Sequence, residues 1–106
     1  MADDEKIYML NALWFKPDGG REKYAEYGEA VFPFVEKYGG RKLKETFLPD
    51  MAVIGEFDAD MVFFVEWPSW EVFQQFANDP DFQPISKIRE EAIEKSLLIR
   101  CKMGTI

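Results

Sequence analysis

The chain opens its regular pattern with Ile7-Tyr8-Met9-Leu10-Asn11-Ala12-Leu13-Trp14-Phe15, apolar on both parities apart from Asn11. Such a run predicts a β-strand covered on both faces. Lys16-Pro17-Asp18-Gly19-Gly20 ends it with turn chemistry. From Arg21 to Tyr38 the period changes. Tyr24, Tyr27, Val31, Phe34, Val35 and Tyr38 recur at steps of three and four, which predicts a helix with one apolar stripe. Asp18 or Gly20 is expected to cap its start, and Gly39-Gly40 to supply a left-handed stop. Pro33 lies inside the pattern and is expected to kink it.

Lys42 to Leu48 and Met51 to Phe57 read as strand, interrupted at Pro49-Asp50, with a hairpin turn at Phe57-Asp58-Ala59-Asp60. Met61-Val62-Phe63-Phe64-Val65-Glu66-Trp67 is the strongest strand pattern, closed by Pro68. Ser69 is a good N-cap for a helix over Trp70 to Ala77, stopped by Asn78-Asp79-Pro80. Pro84 suits the first turn of a third helix running to about Lys95, and Leu97 to Met103 reads as the last strand. The order is β-α-β-β-α-(α)-β, an α+β, ferredoxin-like pattern with a four-stranded antiparallel sheet and helices on one face. Residues 1–5 are expected to be a disordered tail and 6–106 a single domain. The other sheet face still carries apolar side chains, and a chain this short has no further layer to cover it. A second subunit is the economical cover, so a homodimer is expected.

Composition narrows the function classes. Aromatics make up 16% of the 106 residues, a heavy load for one small core, so some should line a pocket or a subunit interface. The net charge of −7 and the lack of any basic patch disfavour nucleic acid and anionic membranes as partners. No apolar run is long enough to span a bilayer. Cys101 is the single cysteine, so no intrachain disulfide forms, which fits a cytoplasmic protein. The chain has no histidine. That removes Ser-His-Asp and Cys-His catalysis and histidine-ligated zinc, haem or iron.

Two segments carry a family resemblance. One is Trp67-Pro68-Ser69-Trp70, Phe73, Phe76, Asp79-Pro80, Phe82-Gln83-Pro84-Ile85 and Arg89; the other is Tyr24-Ala25-Glu26-Tyr27 with Lys37-Tyr38-Gly39-Gly40-Arg41. Together they resemble an uncharacterised bacterial family of the dimeric α/β-barrel superfamily, related to antibiotic-biosynthesis monooxygenases. The resemblance spans roughly Ile7 to Met103. It implies pairing of two sheets into a dimeric α/β barrel. It further implies a cofactor-independent monooxygenase or isomerase acting on a small aromatic or polyketide-like compound, with no metal and no cofactor. The haem-degrading branch is similar at Asn11, but Phe76 stands at its tryptophan position and Ser86 at its histidine position. Asn11, Trp67 or Trp70, Tyr27 and Arg89 are similar to the Asn, Trp, Tyr and Arg set of the quinone-forming branch. A different class stays open beside it: a non-catalytic homodimeric module that binds a small molecule or another protein.

The candidate site residues each have a bland alternative. Arg89 projects inside the helical arc of Ile85, Ile88, Ala92 and Ile93. A guanidinium there either anchors a ligand carboxylate or enolate or pairs with a protein carboxylate such as Glu66. Glu66 alternates with Val62 and Phe64, so it is either a buried proton-transfer group or a strand-end carboxylate reaching water. Asn11 lies mid-strand and must be hydrogen-bonded, to a ligand oxygen or to the protein. Trp14, Trp67, Trp70, Tyr27, Phe73 and Phe76 either wall an aromatic ligand pocket or simply fill the core. Asp58, Asp60, Asp79 and Asp81 form two Asp-x-Asp pairs that read as turn chemistry rather than cation sites. Cys101 alternates with Leu97 and Ile99 and reads as a small core residue.

Overall fold

A computed structural model describes residues 5–104. The elements follow as β1 (Ile7–Phe15), α1 (Gly20–Lys37), β2 (Arg41–Phe47), β3 (Met61–Trp67), α2 (Trp70–Ala77), α3 (Gln83–Ala92) and β4 (Ile93–Cys101). The sheet order is β2-β3-β1-β4, with every neighbouring pair antiparallel. The expected ferredoxin-like architecture is therefore the one observed. Residues 1–4 of the expected tail lie outside the described residues; Glu5 pairs with Lys102 at 3.5 Å.

β1 shows why the sheet needs two covers. Ile7, Met9, Asn11, Leu13 and Phe15 are buried, and they face the helices. Tyr8, Leu10 and Trp14 are half-buried on the other face. Opposite residues in an antiparallel pair share a face. Leu10 pairs with Phe64 and Ile99, and Ala12 pairs with Val62 and Leu97. The uncovered face is thus apolar across three strands, and Phe47 of β2, opposite Val62, extends it.

The covered face holds two apolar clusters. Ile7, Met9, Tyr27, Trp67, Phe76 and Phe82 form one, and Leu13, Phe15, Phe63, Ala92 and Ile93 the other. Asn11 stands between them on β1. Ser69 caps α2 as expected, its Oγ accepting from the Val72 amide at 3.1 Å. Asp79 is buried at the α2–α3 corner. It accepts from Tyr38 Oη at 2.7 Å, from Lys37 Nζ at 3.1 Å and from the Asp81 amide at 2.8 Å. It thereby ties the end of α1 to the corner.

Three local expectations are corrected. Residues 51–57 are not strand. The β2–β3 ladder ends at Phe47–Val62, the donorless Pro49 follows, and no neighbouring strand is left to pair with. Instead this segment projects Met51, Val53 and Ile54 into solvent, Ile54 at 94% exposure. Its return is pinned by Trp14 Nε1 donating to Asp58 at 2.8 Å and the Phe15 amide donating to Asp60 at 2.9 Å. α1 is capped by Gly19 in the left-handed region, with no side-chain cap. Pro33 lies within α1, its missing donor at an exposed position. Finally α3 ends at Ala92 and β4 begins at Ile93, because β1 is long enough for Phe15 to pair with Ile93.

Candidate functional site

Between the two apolar clusters lies a cavity of about 710 Å³, within the ordinary range for a small-molecule site. All four strands contribute to its floor: Lys42 from β2, Phe63 and Val65 from β3, Asn11 from β1 and Leu98 from β4. The helices contribute Tyr24 and Tyr27 from α1, Phe73 and Phe76 from α2, and Arg89 from α3. Across three interstrand gaps the floor is roughly 14 Å wide. The cavity is therefore long and largely apolar, with few polar groups.

Asn11 is 8% exposed. Its Nδ2 donates to the Met9 carbonyl at 3.2 Å, which fixes the amide within the strand. Opposite residues Phe63 and Leu98 flank it on either side. Arg89 is half-buried and has no salt-bridge partner among the described residues. Its neighbours are phenols. Burial pushes the Tyr24 hydroxyl well above its ordinary pKa, the neighbouring Tyr27 adds to this, and the Arg89 charge partly offsets both. Burial likewise raises Tyr27, again with Arg89 opposing. Both phenols are protonated donors at neutral pH. A cation and two hydroxyls converging on an apolar cavity make an anion-binding corner. Tyr24 read in the sequence as one of the apolar stripe and of the Tyr24-Ala25-Glu26-Tyr27 motif; its partnership with Arg89 joins residues 65 positions apart and has no local signal.

The other candidates divide between two places. Tyr27, Trp67, Phe73 and Phe76 line the cavity together with Asn11 and Arg89. Trp67 lies tilted against Phe76 at 4.6 Å and edge-on against Phe73 at 5.4 Å, so these rings are cavity wall and core at once. Trp70 lies outside the cavity, stacked on Phe73 at 5.6 Å with the Arg100 guanidinium 4.7 Å over its ring. Glu66 shares the uncovered face with Val62 and Phe64, on the far side of the sheet from Arg89. Its partners are Arg41 at 3.1 Å and Lys6 at 3.5 Å. Burial raises the Glu66 pKa, but the hydrogen bond and charge of Arg41, with Lys6, outweigh it and leave the carboxyl below its ordinary value. It is an ionised structural carboxylate, placed where it cannot reach the cavity.

Of the four aspartates in Asp-x-Asp pairs, Asp58, Asp60 and Asp79 accept the bonds described above. Among the described residues no group of three or more acidic, Cys or His side chains gathers as a metal site. No helix among them is long and apolar enough to cross a membrane.

A four-stranded antiparallel sheet with an aromatic cavity under its helices defines a ferredoxin-like α+β protein. Residues 18–101 match the family model described as "Domain of unknown function (DUF1330)", and the chain belongs to that family. A search of curated proteins gave no match. Among solved structures, a protein of unknown function from Rhodopseudomonas palustris is 32% identical, with a TM-score of 0.86 over 97% of this chain and 85% of that one. A cofactor-independent oxygenase from Streptomyces nogalater, SnoaB, is similar in fold: 13% identity, TM-score 0.69, 96% of each chain. So is a dimeric protein of unknown function with a ferredoxin-like fold from Bacteroides fragilis: 14% identity, TM-score 0.64, 92% of this chain and 96% of that one.

Proposed function

We propose that the cavity binds a small aromatic or polyketide-like anion, with Arg89 as anchor and Asn11, Tyr24 and Tyr27 as its other polar contacts. The observation that carries this reading is Arg89, a guanidinium at the cavity wall that makes no ion pair among the described residues, although Glu36 and Glu90 also line the cavity. A half-buried cation left without an anion is unfavourable unless a ligand supplies one. Trp67, Phe73 and Phe76 would take the apolar body of that ligand.

The catalytic form of the reading is a cofactor-independent oxygenase, as in the fold neighbour SnoaB. The substrate gives up four electrons at one CH₂ carbon. One oxygen atom of O₂ becomes the product carbonyl and the other leaves as water. The two phenols are poor bases at neutral pH and Glu66 lies across the sheet, which leaves Glu36 and Glu90 as the carboxylates that line the cavity. Arg89 and Asn11 would stabilise the enolate and the peroxy anion, in a site from which the rings exclude water. The alternative, from another class, is a non-catalytic homodimer that holds the same ligand. In both forms we place the second subunit on the uncovered sheet face, whose apolar surface has no cover among the described residues.

Calorimetric titration with 2-naphthoate and its neutral amide tests the anchor. Arg89→Gln should weaken naphthoate binding about ten- to hundredfold, from a charged hydrogen bond of roughly 1.5–3 kcal/mol. It should leave the amide unchanged. Equal naphthoate affinity in both proteins would sink the anchor. Oxygen uptake with an anthrone separates the two classes: uptake favours the oxygenase, and binding without uptake favours the non-catalytic module.

A further inference from the structure

α1 has two flanks over the cavity, and its partners tell them apart. Lys23 reaches Glu91 of α3 at 3.3 Å, and Phe34 packs against Phe82 beside α3 at 6.1 Å. That flank is closed. At 3.6 residues per turn, Ala25, Gly28 and Phe32 form a row on the opposite flank. All three are exposed, and all three line the cavity. Facing this row is the edge strand β2, where Arg41 and Lys42 are exposed and line the cavity too. The cavity therefore meets solvent between α1 and the β2 edge.

Gly28 is the centre of that row, and nothing in the backbone requires a glycine there. Its φ is not among the positive values, which belong to Gly19, Gly39 and Gly55. A Cβ at this position would meet nothing within 4 Å, unlike one at Gly20 or Gly40, which would strike Ala92 or Trp67. Glycine is also a poor helix former. What it contributes is width: a missing side chain in the row, directly over the opening.

We propose that the gap over Gly28 is the entrance of the cavity and that Gly28 sets the breadth of ligand it admits. Phe32 forms one side of this mouth. Lys42, with its ammonium 5.5 Å above the Phe63 ring, and Glu36, one turn beyond Phe32, line the cavity as well. Flat acids of two or more fused rings pass because residue 28 has no side chain. This rests on the cavity being a ligand site.

The test compares Gly28→Leu, Gly28→Ala and Glu29→Leu by calorimetry with 2-naphthoate and with benzoate, alongside melting temperature. Glu29 is exposed and does not line the cavity, so its leucine adds the same bulk off the path. Gly28→Leu should bind naphthoate at least tenfold more weakly and lose less for benzoate. Gly28→Ala should lie between the wild type and Gly28→Leu, and Glu29→Leu should bind as the wild type. Both Gly28 variants should melt at or above the wild type, since the space is open and the new residues favour helix. Wild-type affinity in Gly28→Leu overturns the entrance and leaves the cavity reading standing. A Gly28→Leu protein that melts well below the wild type overturns it as well, because the space would then be occupied. A wild type that binds neither acid overturns the cavity reading and the entrance together.

Discussion

The two faces of the sheet are made from the same strands and yet handle polar groups in opposite ways. On the uncovered face, Glu66 is held by Arg41 and Lys6, and the Lys95 ammonium sits 4.5 Å over the Trp14 ring. Charges there are matched and lie around an apolar field of Leu10, Phe64, Leu97 and Ile99. On the covered face, Asn11 interrupts the apolar series of β1, and Arg89 faces phenols rather than a carboxylate. An apolar surface rimmed by satisfied charges suits another protein surface. An apolar cavity with unmatched polar groups suits a ligand that carries the missing charge. On the proposed reading, assembly falls to one face and ligand binding to the other.

The sharpest way to break this division is a charge in the middle of the uncovered face. Leu10 is half-buried between Phe64 and Ile99. An aspartate at position 10 would be left unpaired inside a sheet-to-sheet interface. At several kcal/mol for a buried unpaired charge, Leu10→Asp should weaken dimerisation by about a thousandfold or more. Sedimentation equilibrium at micromolar concentration should show the mass halved. A Leu10→Asp protein that stays dimeric would mean that the partner sits elsewhere.

The covered face is broken by comparing neighbours on β1. Leu13 is fully buried in the second apolar cluster, and Leu13→Ala should cost about 2–5 kcal/mol of stability by denaturant titration. Asn11 lies two residues away on the same face but next to the cavity. Asn11→Leu removes an amide whose one protein bond is to its own strand, so stability should change by less than about 1 kcal/mol. Naphthoate binding should fall nevertheless. Equal destabilisation by both substitutions would make Asn11 an ordinary core residue and remove it from the site.

This pairing of neighbours also marks how far the sequence could be read. β1, α1, β3 and α2 were legible because their periodicity and caps are local: the alternation of β1, the stripe of α1, Ser69 before Trp70. Two segments misread for one reason. Ile93 continues the helical arc of Ile85, Ile88 and Ala92, and Glu94-Lys95 extends the charged pattern, so the helix seemed to run on. Pairing with Phe15, which lies far off in sequence, draws Ile93 into β4. Residues 51–57 have strand-like composition but no strand to pair with, and pairing is not visible in a segment by itself. The site divides in the same manner. Asn11 and Arg89 stood out as polar residues in apolar patterns, and both line the cavity. Glu66 stood out equally, but the face it occupies depends on the register with Tyr8. Tyr24 stood in the apolar stripe and the family motif with no sign of its partner, and Gly28 carried no signal. The one matters through Arg89 and the other through the space above it.

The smallest expected effects come from the two paired carboxylates, one on each side of the division. Tyr38, the Asp81 amide and Lys37 together hold Asp79 below its ordinary pKa. For Glu66, burial acts to raise the pKa, and Arg41 with Lys6 reverses it to a net lowering. A carboxyl with a folded pKa below its unfolded one stabilises the fold above the unfolded value. That contribution is lost as pH falls through the folded pKa. The stabilising window for both groups thus lies above about pH 4, the ordinary carboxylate range. Asp79→Asn and Glu66→Gln should each lower the melting temperature at neutral pH, and each deficit should shrink toward zero by about pH 2.5. Asp79 should show the larger deficit, since its side chain is 3% exposed against 12% for Glu66 and it joins α1 to the α2–α3 corner. The two should also differ in their dependence on protein concentration. Glu66 sits on the proposed dimer face, so its deficit should change with dilution, whereas that of Asp79 should not. A pH-independent deficit at Asp79 would show that the bond from Tyr38 survives with a neutral acceptor, and that geometry rather than charge holds the corner.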